Sequence, residues 1–319
     1  MKKIIIFISI LISFLPLCAQ NSDYNVPKRE RGIRSPYNSF LQKSDYRISL
    51  YFSKTSASSF FDQQSNSING FTDTVYLGKY SRDFTFNFMK HTLNVKGEKL
   101  IDSTILLFAN VPISNYSLDE LYKEFYDSSS SVTLPRQDKA KYNLLIIDYL
   151  ELGIEYAVLK GLFEVEFGAS TKIPFGSENG VAKNSREFWS DNAFEILSGI
   201  KSSFNSEKYQ INLSSYYNYR GEDLKNRIIT QLSAGIFTIP DSYIGAGVEW
   251  ALSLSNLSEA FPFDIHHEPD MEEYIDDNVK FGLLINENLG TEIGYRVRLT
   301  GKNSWDYSGY KIIFFINFK

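Results

Sequence analysis

Two glutamates near the middle of the chain, Glu164 and Glu166, are the most suggestive pair of reactive side chains. In an extended strand, side chains two positions apart share one face and lie about 7 Å from one another. A carboxylate pair of this kind could act as a general acid and base. Alternatively, each carboxylate balances a buried cation, because an unpaired buried charge is costly. The cations available for this balance are Lys172, Lys201, Arg296 and Arg298. We predict charge balance and no catalytic residue.

An acidic segment, residues 264–277, is the second candidate site, and it contains His266 and His267 among several Asp and Glu residues. Carboxylate oxygens could bind Ca²⁺, but the spacing does not follow the EF-hand loop. Adjacent histidines also do not form the one-face ligand pair that a helix presents. We therefore predict an exposed acidic loop and no metal site.

A hydrolytic site lacks its usual signature in this chain. The remaining histidine, His91, lies in a segment that alternates like a strand, and no Gly-x-Ser-x-Gly elbow is present. We predict that the protein is not an enzyme and needs no cofactor.

The N-terminus has the features of a secretory signal peptide. Lys2 and Lys3 precede an apolar run over residues 4–17, which is short for a membrane-spanning helix, and Ala19 suits a cleavage site. We predict that residues 1–19 are cleaved off, which directs the chain out of the cytoplasm. No later apolar run reaches the length of a transmembrane helix.

Cys18 is the only cysteine in the chain. A lipid-modified cysteine is the alternative to cleavage after Ala19, but Leu17 is bulky where a small residue is expected. A mature chain without cysteine has no disulfide and no thiolate metal site. Loss of Lys2 and Lys3 changes the formal charge from −5 to −7, which argues against nucleic acid as a partner.

Alternation with a period of two runs through most of the chain. Residues 150–158, for example, place Leu152, Ile154 and Tyr156 on one face and Glu151 and Glu155 on the other. Each such segment is a strand with one apolar and one polar face. The charged residues predicted to point from the polar face into a central lumen are Glu164, Glu166, Lys172, Lys201, Arg220, Glu249, Glu292, Arg296 and Arg298.

A soluble β-sandwich also alternates, so strand length decides between the two folds. Many of the segments run for about ten to fourteen residues, whereas globular strands average about five or six and tilted membrane strands need about nine to eleven. Short and long connections also alternate along the chain. This alternation predicts twelve strands, with fourteen as the alternative count, and residues 73–95 could form two strands in place of one. The predicted strands are residues 44–53, 73–95, 103–111, 141–159, 161–173, 191–204, 208–220, 226–238, 242–255, 277–287, 290–299 and 309–318.

The sequence thus predicts an all-β fold, a closed antiparallel up-and-down transmembrane β-barrel over residues 44–319. Short turns would face the periplasm and long loops the outside. Residues 20–43 would form a periplasmic segment and a candidate plug. In the last strand, Tyr310, Ile312, Phe314, Ile316 and Phe318 would face lipid, with Lys311 and Asn317 facing inward.

Two stretches of the chain resemble a known family. Asp148, Leu152, Gly153 and Tyr156 fit its first motif, and Ile173, Pro174 and Gly176 fit its second, with Phe175 where a small polar residue is usual. These motifs resemble the MetA-pathway-of-phenol-degradation outer-membrane family, which is similar to the FadL-like fatty-acid transporter barrels. The resemblance covers roughly residues 140–318. It implies a channel or transporter for small, often hydrophobic compounds.

The expected partners are outer-membrane lipid, a small-molecule solute and the barrel-assembly machinery, since the aromatic residue near the C-terminus resembles the signal that this machinery recognises. The expected location is the outer membrane. Two alternatives stay open: a structural or adhesion barrel with a blocked lumen, and a secreted soluble β-protein.

Overall fold

The computed structural model describes residues 46–61, 65–68, 70–75, 80–101, 104–128, 131–132, 136–159, 163–175, 194–206, 208–220, 226–239, 242–254, 273–285, 288–302 and 304–318. The predicted signal peptide, residues 1–19, and the predicted plug, residues 20–43, lie outside these ranges. So does most of the acidic segment, residues 264–272.

All regular structure in the described residues is β-strand. The strands are β1 (Tyr46–Phe61), β2 (Ser67–Ile68), β3 (Gly70–Val75), β4 (Tyr80–Leu100), β5 (Ile105–Ser128), β6 (Ser131–Val132), β7 (Arg136–Ile147), β8 (Tyr149–Leu159), β9 (Phe163–Pro174), β10 (Glu195–Asn205), β11 (Tyr209–Arg220), β12 (Arg227–Ile239), β13 (Ser242–Ser253), β14 (Glu273–Leu284), β15 (Leu289–Lys302) and β16 (Ser304–Phe318). Among these residues, no helix is long and apolar enough to cross a membrane.

The sheet closes on itself through β1, which pairs antiparallel with β16 on one side and with β4 on the other. From β4 the ring continues through β5, β8 and β9 to β16 in chain order, and every pairing is antiparallel. Strands β7 and β8 follow one another on the same side of β5 and act as one long strand. The described ring therefore has twelve strands, which confirms the predicted barrel. The alternative of fourteen strands is wrong.

Two predicted connections near the start of the barrel are strand in the structure. Residues 96–99, the short turn predicted between strands 73–95 and 103–111, lie inside β4, where Lys96 pairs with Asn110 and Glu98 with Phe108. The expected loop at residues 112–140 is largely occupied by β5 and β7, which pair with each other over a long stretch. Cross-strand hydrogen bonds outweigh the local turn preference of Gly97, because each ladder position satisfies two backbone groups.

The last predicted long loop is also mostly strand. Strand β15 continues to Lys302 and β16 starts at Ser304, so the expected nine-residue connection is absent. The acidic segment is partly strand as well, since β14 begins at Glu273. Both differences lengthen the wall of the barrel at the end that carries the longer connections. We call this the long-loop end, and the end that holds Tyr46 and Phe318 the short-turn end.

The outer face of the ring is apolar. Ile293 is 53% exposed, and its direct partners on the two neighbouring strands are Phe281 and Ile312. Outward residues of similar exposure are Leu152, Ile154, Tyr156, Phe163, Phe167, Ile244, Leu252, Val279, Tyr310, Phe314 and Ile316. In water such a continuous apolar surface would be unfavourable, so hydrocarbon is the solvent that suits it.

The inner face carries the polar residues, which reverses the arrangement of a soluble protein. Glu164, Glu195, Asn218 and Asp276 are among the most deeply buried side chains of the described residues. Burying charged groups at this density is unfavourable unless they are paired, and the interior supplies partners from neighbouring strands.

Candidate functional site: the charged interior of the barrel

The structure places every predicted lumen residue on the inner face of the ring. Glu164, Glu166, Arg220, Glu292 and Arg298 are buried there, and Lys172, Lys201, Glu249 and Arg296 are partly exposed. Pleating explains the placement, because every second residue of a strand points to the same face. Their role in a solute path stays a prediction. The structure groups most of them into separate clusters.

The first cluster centres on Asp276, near the long-loop end of β14. Its carboxylate is fully buried and accepts hydrogen bonds from Arg298 Nε at 2.8 Å and from the Tyr307 hydroxyl at 2.6 Å. Arg296 Nη2 donates to the same carboxylate and to Glu249 Oε1. The cluster therefore ties together β13, β14, β15 and β16.

Aromatic rings complete this cluster. The Arg298 guanidinium lies 4.0 Å from the ring centre of Tyr274 and 4.4 Å from that of Tyr307. A planar guanidinium between two rings keeps its in-plane N–H groups free to bind a carboxylate. The residue at the centre, Asp276, was predicted to lie in an exposed loop. Alternation in the segment from Glu273 to Phe281 was the signal that could have placed it inside.

A second cluster crosses β9, β10, β11 and β12 at the same end. Glu195 is buried, and its carboxylate lies 2.8 Å from Lys172 Nζ and 3.3 Å from Arg220 Nε. Arg227 approaches to 3.9 Å. Three cations therefore surround this one carboxylate, and Lys172 is also the cross-strand partner of Glu151 on β8.

The two glutamates of β9 have different partners on β10, so their carboxylates do not form one common site that could accept a proton. Lys201 Nζ lies 2.6 Å from Glu166 Oε2. Asn205 Nδ2 donates to Glu164 Oε2 at 3.0 Å, and Gln210 in turn donates to Asn205. Both carboxylates are only 2% exposed. Lys201 balances the charge of Glu166, whereas Glu164 is held by the neutral amide of Asn205.

Asp148 occupies a break between β7 and β8 that the alternation did not predict. Ile113 pairs with Ile147 and Asn110 with Glu151, so one extra residue stands on the β7–β8 side. This bulge turns Asp148 inward, where it accepts hydrogen bonds from Ser114 Oγ at 2.6 Å and from the Tyr116 hydroxyl at 3.0 Å. Lys90 Nζ lies 3.1 Å away. Bulges of this kind redirect single side chains.

A further cluster, missed from sequence, closes the short-turn end. Glu98 lies 2.8 Å from Lys96 Nζ and 3.7 Å from Arg47 Nη1. Arg47 Nε donates to Asn317 Oδ1 at 2.9 Å, and its guanidinium stands 5.3 Å from the centre of the Phe315 ring. The first and last strands of the ring are therefore joined by side chains as well as by backbone.

No family model matches the chain, and no curated protein shows significant sequence similarity to it. Among solved structures, the chain is similar to an outer membrane channel from Pseudomonas putida F1, with a TM-score of 0.54, 10% identity, and coverage of 92% of this chain and 100% of that one.

The fold is that of an outer-membrane β-barrel.

Two further similar structures are a variant of the TodX monoaromatic hydrocarbon channel and the KdgM porin. The first has a TM-score of 0.48 and 8% identity and covers 88% of this chain and 92% of that one. The second has a TM-score of 0.45 and 10% identity and covers 85% of this chain and 99% of that one. Similarity at these identities concerns the shape of the chain alone.

Part of the interior of this barrel is accessible. The side chain of Arg296 is 40% exposed although it points inward and contacts Asp276. Gln231 on β12 is exposed on the same inner face, between the paired residues Ser214 and Glu249. An inward side chain of a closed ring can be exposed only if open space adjoins it. The wall from β12 to β15 therefore borders open space inside the ring at these two residues.

Proposed function

We propose that this protein is a passive channel for small solutes in the outer membrane. The observation that carries the proposal is the exposure of Arg296 and Gln231 on the inner face of a closed ring. Water that reaches these residues shares the space through which a solute would pass. Twelve strands lie between the eight of filled barrels and the sixteen of wide porins, so the lumen would be narrow.

The side chains that line the lumen would determine which solutes pass. The clusters around Asp276 and Glu195 stand at the long-loop end, where a solute would enter from outside, and they present charged hydrogen-bonding groups. Charged side chains that line a pore control which ions and solutes pass through it. The hydrophobic cargo implied by the family resemblance is not favoured by these residues and stays a prediction.

The route to the membrane is part of the proposal. Residues 1–19 would direct export and be cleaved off, and the barrel-assembly machinery would recognise the last strand. That strand ends with Phe318, which stacks on Tyr46 of the first strand at a ring-centre distance of 5.7 Å. No catalytic role is proposed for the interior carboxylates.

Planar-bilayer recording of the purified protein tests the proposal. We expect discrete conductance steps and solute-dependent swelling of liposomes that contain the protein. Heat-modifiable migration on a gel should accompany both, because a folded barrel resists detergent until it is boiled. A folded barrel with neither conductance nor solute uptake would refute the channel. A protein that fractionates as soluble and migrates alike boiled and unboiled would refute the membrane barrel.

One observation favours a second candidate, a structural or adhesion barrel. Strands β3, β4, β5 and β7 pair with one another well beyond the last contacts with β1 and β9. Their backbone ladder forms a sheet that extends past the ring at the long-loop end. In the described residues β3 and β7 each pair on one edge only, and such an edge can accept a strand from a partner.

The second candidate predicts attachment to a cell surface or envelope component without conductance. Replacement of residues 68–86 with a short Gly-Ser linker should then abolish attachment. For a channel, the same replacement should leave stepwise conductance in place, since the ring contacts of β4 with β1 remain.

A further inference from the structure

We propose that the lumen carries a transverse electric field that favours small zwitterionic solutes. The field would run between an acidic wall, formed by the inward glutamates of β8 and β9, and a basic wall, formed by the inward cations of β14, β15 and β16. This inference rests on the proposed channel function and names the solute class for the same interior.

The acidic wall consists of Glu151, Glu155, Glu164 and Glu166. All four lie on the inner face, and Lys172 is the one inward cation on the same two strands in the described residues. Glu151 accepts hydrogen bonds from Asn110 Nδ2 at 3.0 Å and from Ser170 Oγ at 2.9 Å, which hold it without cancelling its charge. Lys201, from the neighbouring strand β10, offsets Glu166.

The basic wall consists of Lys280, Arg296, Arg298 and Lys311. Asp276 and Glu292 are the inward acids on these strands in the described residues, and Glu249 from the neighbouring strand β13 offsets Arg296, so four cations stand against three acids. Lys280 and Lys311 stand on either side of Gly294 in one cross-strand row. Lys311 Nζ lies 5.1 Å from the centre of the Tyr51 ring, which is within the range of a cation–π contact.

The order of the ring puts these walls opposite one another. From β9 to β15 there are six steps through β10 and also six through β8, β5, β4, β1 and β16. In a closed ring of twelve strands, two strands that are six steps apart face each other across the axis. Fixed charges of opposite sign on facing walls produce a field across the lumen, and low-dielectric walls concentrate it.

One glycine at each wall has free space beside it, which leaves room for a solute. A Cβ added to Gly168 on β9 would meet its nearest atom at 3.5 Å, and one added to Gly294 on β15 would do so at 3.4 Å, both ordinary contacts. A small solute could therefore approach each wall closely. A molecule that carries an ammonium and a carboxylate would align with the field and be attracted to both walls. A monovalent ion is attracted to one wall and repelled by the other.

Liposome swelling with four solutes of matched size tests the inference: 4-aminobutyrate, butyramide, butyrate and butylammonium. We expect 4-aminobutyrate to enter about ten-fold faster than the ion of either sign. The double substitutions Lys280→Gln with Lys311→Gln, and Glu151→Gln with Glu155→Gln, should each remove this preference. Lys54→Gln is the matched control, since Lys54 stands on the outer face of β1 opposite Tyr310.

Ion selectivity supplies a second readout on the same variants. Reversal potentials in a salt gradient should shift toward cations when the two lysines are replaced and toward anions when the two glutamates are replaced. Heat-modifiable migration shows which variants are folded. Entry of all four solutes in order of size alone, with no opposite shifts of selectivity, would overturn the field and leave the channel standing. No entry of any solute into liposomes with folded wild-type protein would overturn the channel itself.

Discussion

The ring of Phe315 on β16 covers the backbone of Gly290 on β15, its direct cross-strand partner. A Cβ built on Gly290 would stand 2.2 Å from the end of that ring, far inside contact distance. Phe315 is only 2% exposed, and the Arg47 guanidinium lies over the same ring, 5.3 Å from its centre. The aromatic side chain takes the space that glycine leaves, which stabilises a glycine in a strand.

Gly290→Ala should therefore destabilise the barrel. The added methyl group would overlap the end of the Phe315 ring, which is buried and must shift, and overpacking of this kind costs about 1–3 kcal/mol. Urea unfolding of the barrel in lipid vesicles, followed by tryptophan fluorescence, measures the change. Gly97→Ala is the control, because a Cβ there meets nothing within 4 Å. Equal stability of the two variants would show that Phe315 moves aside freely.

Asp276→Asn should lower the free energy of unfolding much more than the loss of an ion pair at the rim of the barrel does. The substitution leaves Arg298 buried beside a neutral amide, and breaking a buried pair typically costs about 3–5 kcal/mol. The matched control is Glu273→Gln on the same strand, which removes a 3.0 Å ion pair with the partly exposed Lys302. Such pairs contribute about 0–1 kcal/mol. Unfolding midpoints in urea give both values, and a similar loss in the two variants would contradict a central role for Asp276.

Gly294→Trp should reduce single-channel conductance strongly without unfolding the barrel. Gly294 faces the lumen between Lys280 and Lys311, and the structure leaves ordinary contact space around an added Cβ. A large ring there would project into the path of ions. The control is Gly97→Trp, which places the same ring on the outer face. Unchanged conductance in folded Gly294→Trp would show that ions pass elsewhere.

Ile293→Lys should impair membrane insertion. Its side chain lies on the outer apolar face between Phe281 and Ile312, and a lysine that faces lipid costs up to about 2–4 kcal/mol, most of all near the bilayer midplane. Gln231→Lys, on the exposed inner face, should insert like the wild type. The yield of heat-modifiable protein after refolding into vesicles measures insertion. A soluble β-protein would tolerate Ile293→Lys at an exposed position, so equal yields would favour that alternative.

Alternation along each strand was enough to predict which residues point inward, because pleating is a local property of the backbone. Glu164, Glu249 and Arg296, for example, were placed on the polar face from sequence and lie on the inner face of the ring. Strand number followed from the alternation of short and long connections. The ends of the strands were harder to predict, as the wrongly predicted turn at residues 96–99 shows. A local Lys-Gly-Glu-Lys stretch looks like a turn, and only the ladder between β4 and β5 makes it strand.

The sequence by itself thus determined the all-β class, the apolar and polar faces and the reversal of burial that suits a membrane. Tertiary structure alone decided the partners: Asp276 meets Arg298 because β14 and β15 adopt one register, with an irregularity beside Asp276. The bulge at Asp148 likewise depends on how β7 and β8 align with β5. Strands β9 and β15 lie opposite each other only because β1 closes the ring. The physical reason is that alternation acts between neighbours in the chain, whereas register and closure are settled by hydrogen bonds between strands far apart in sequence.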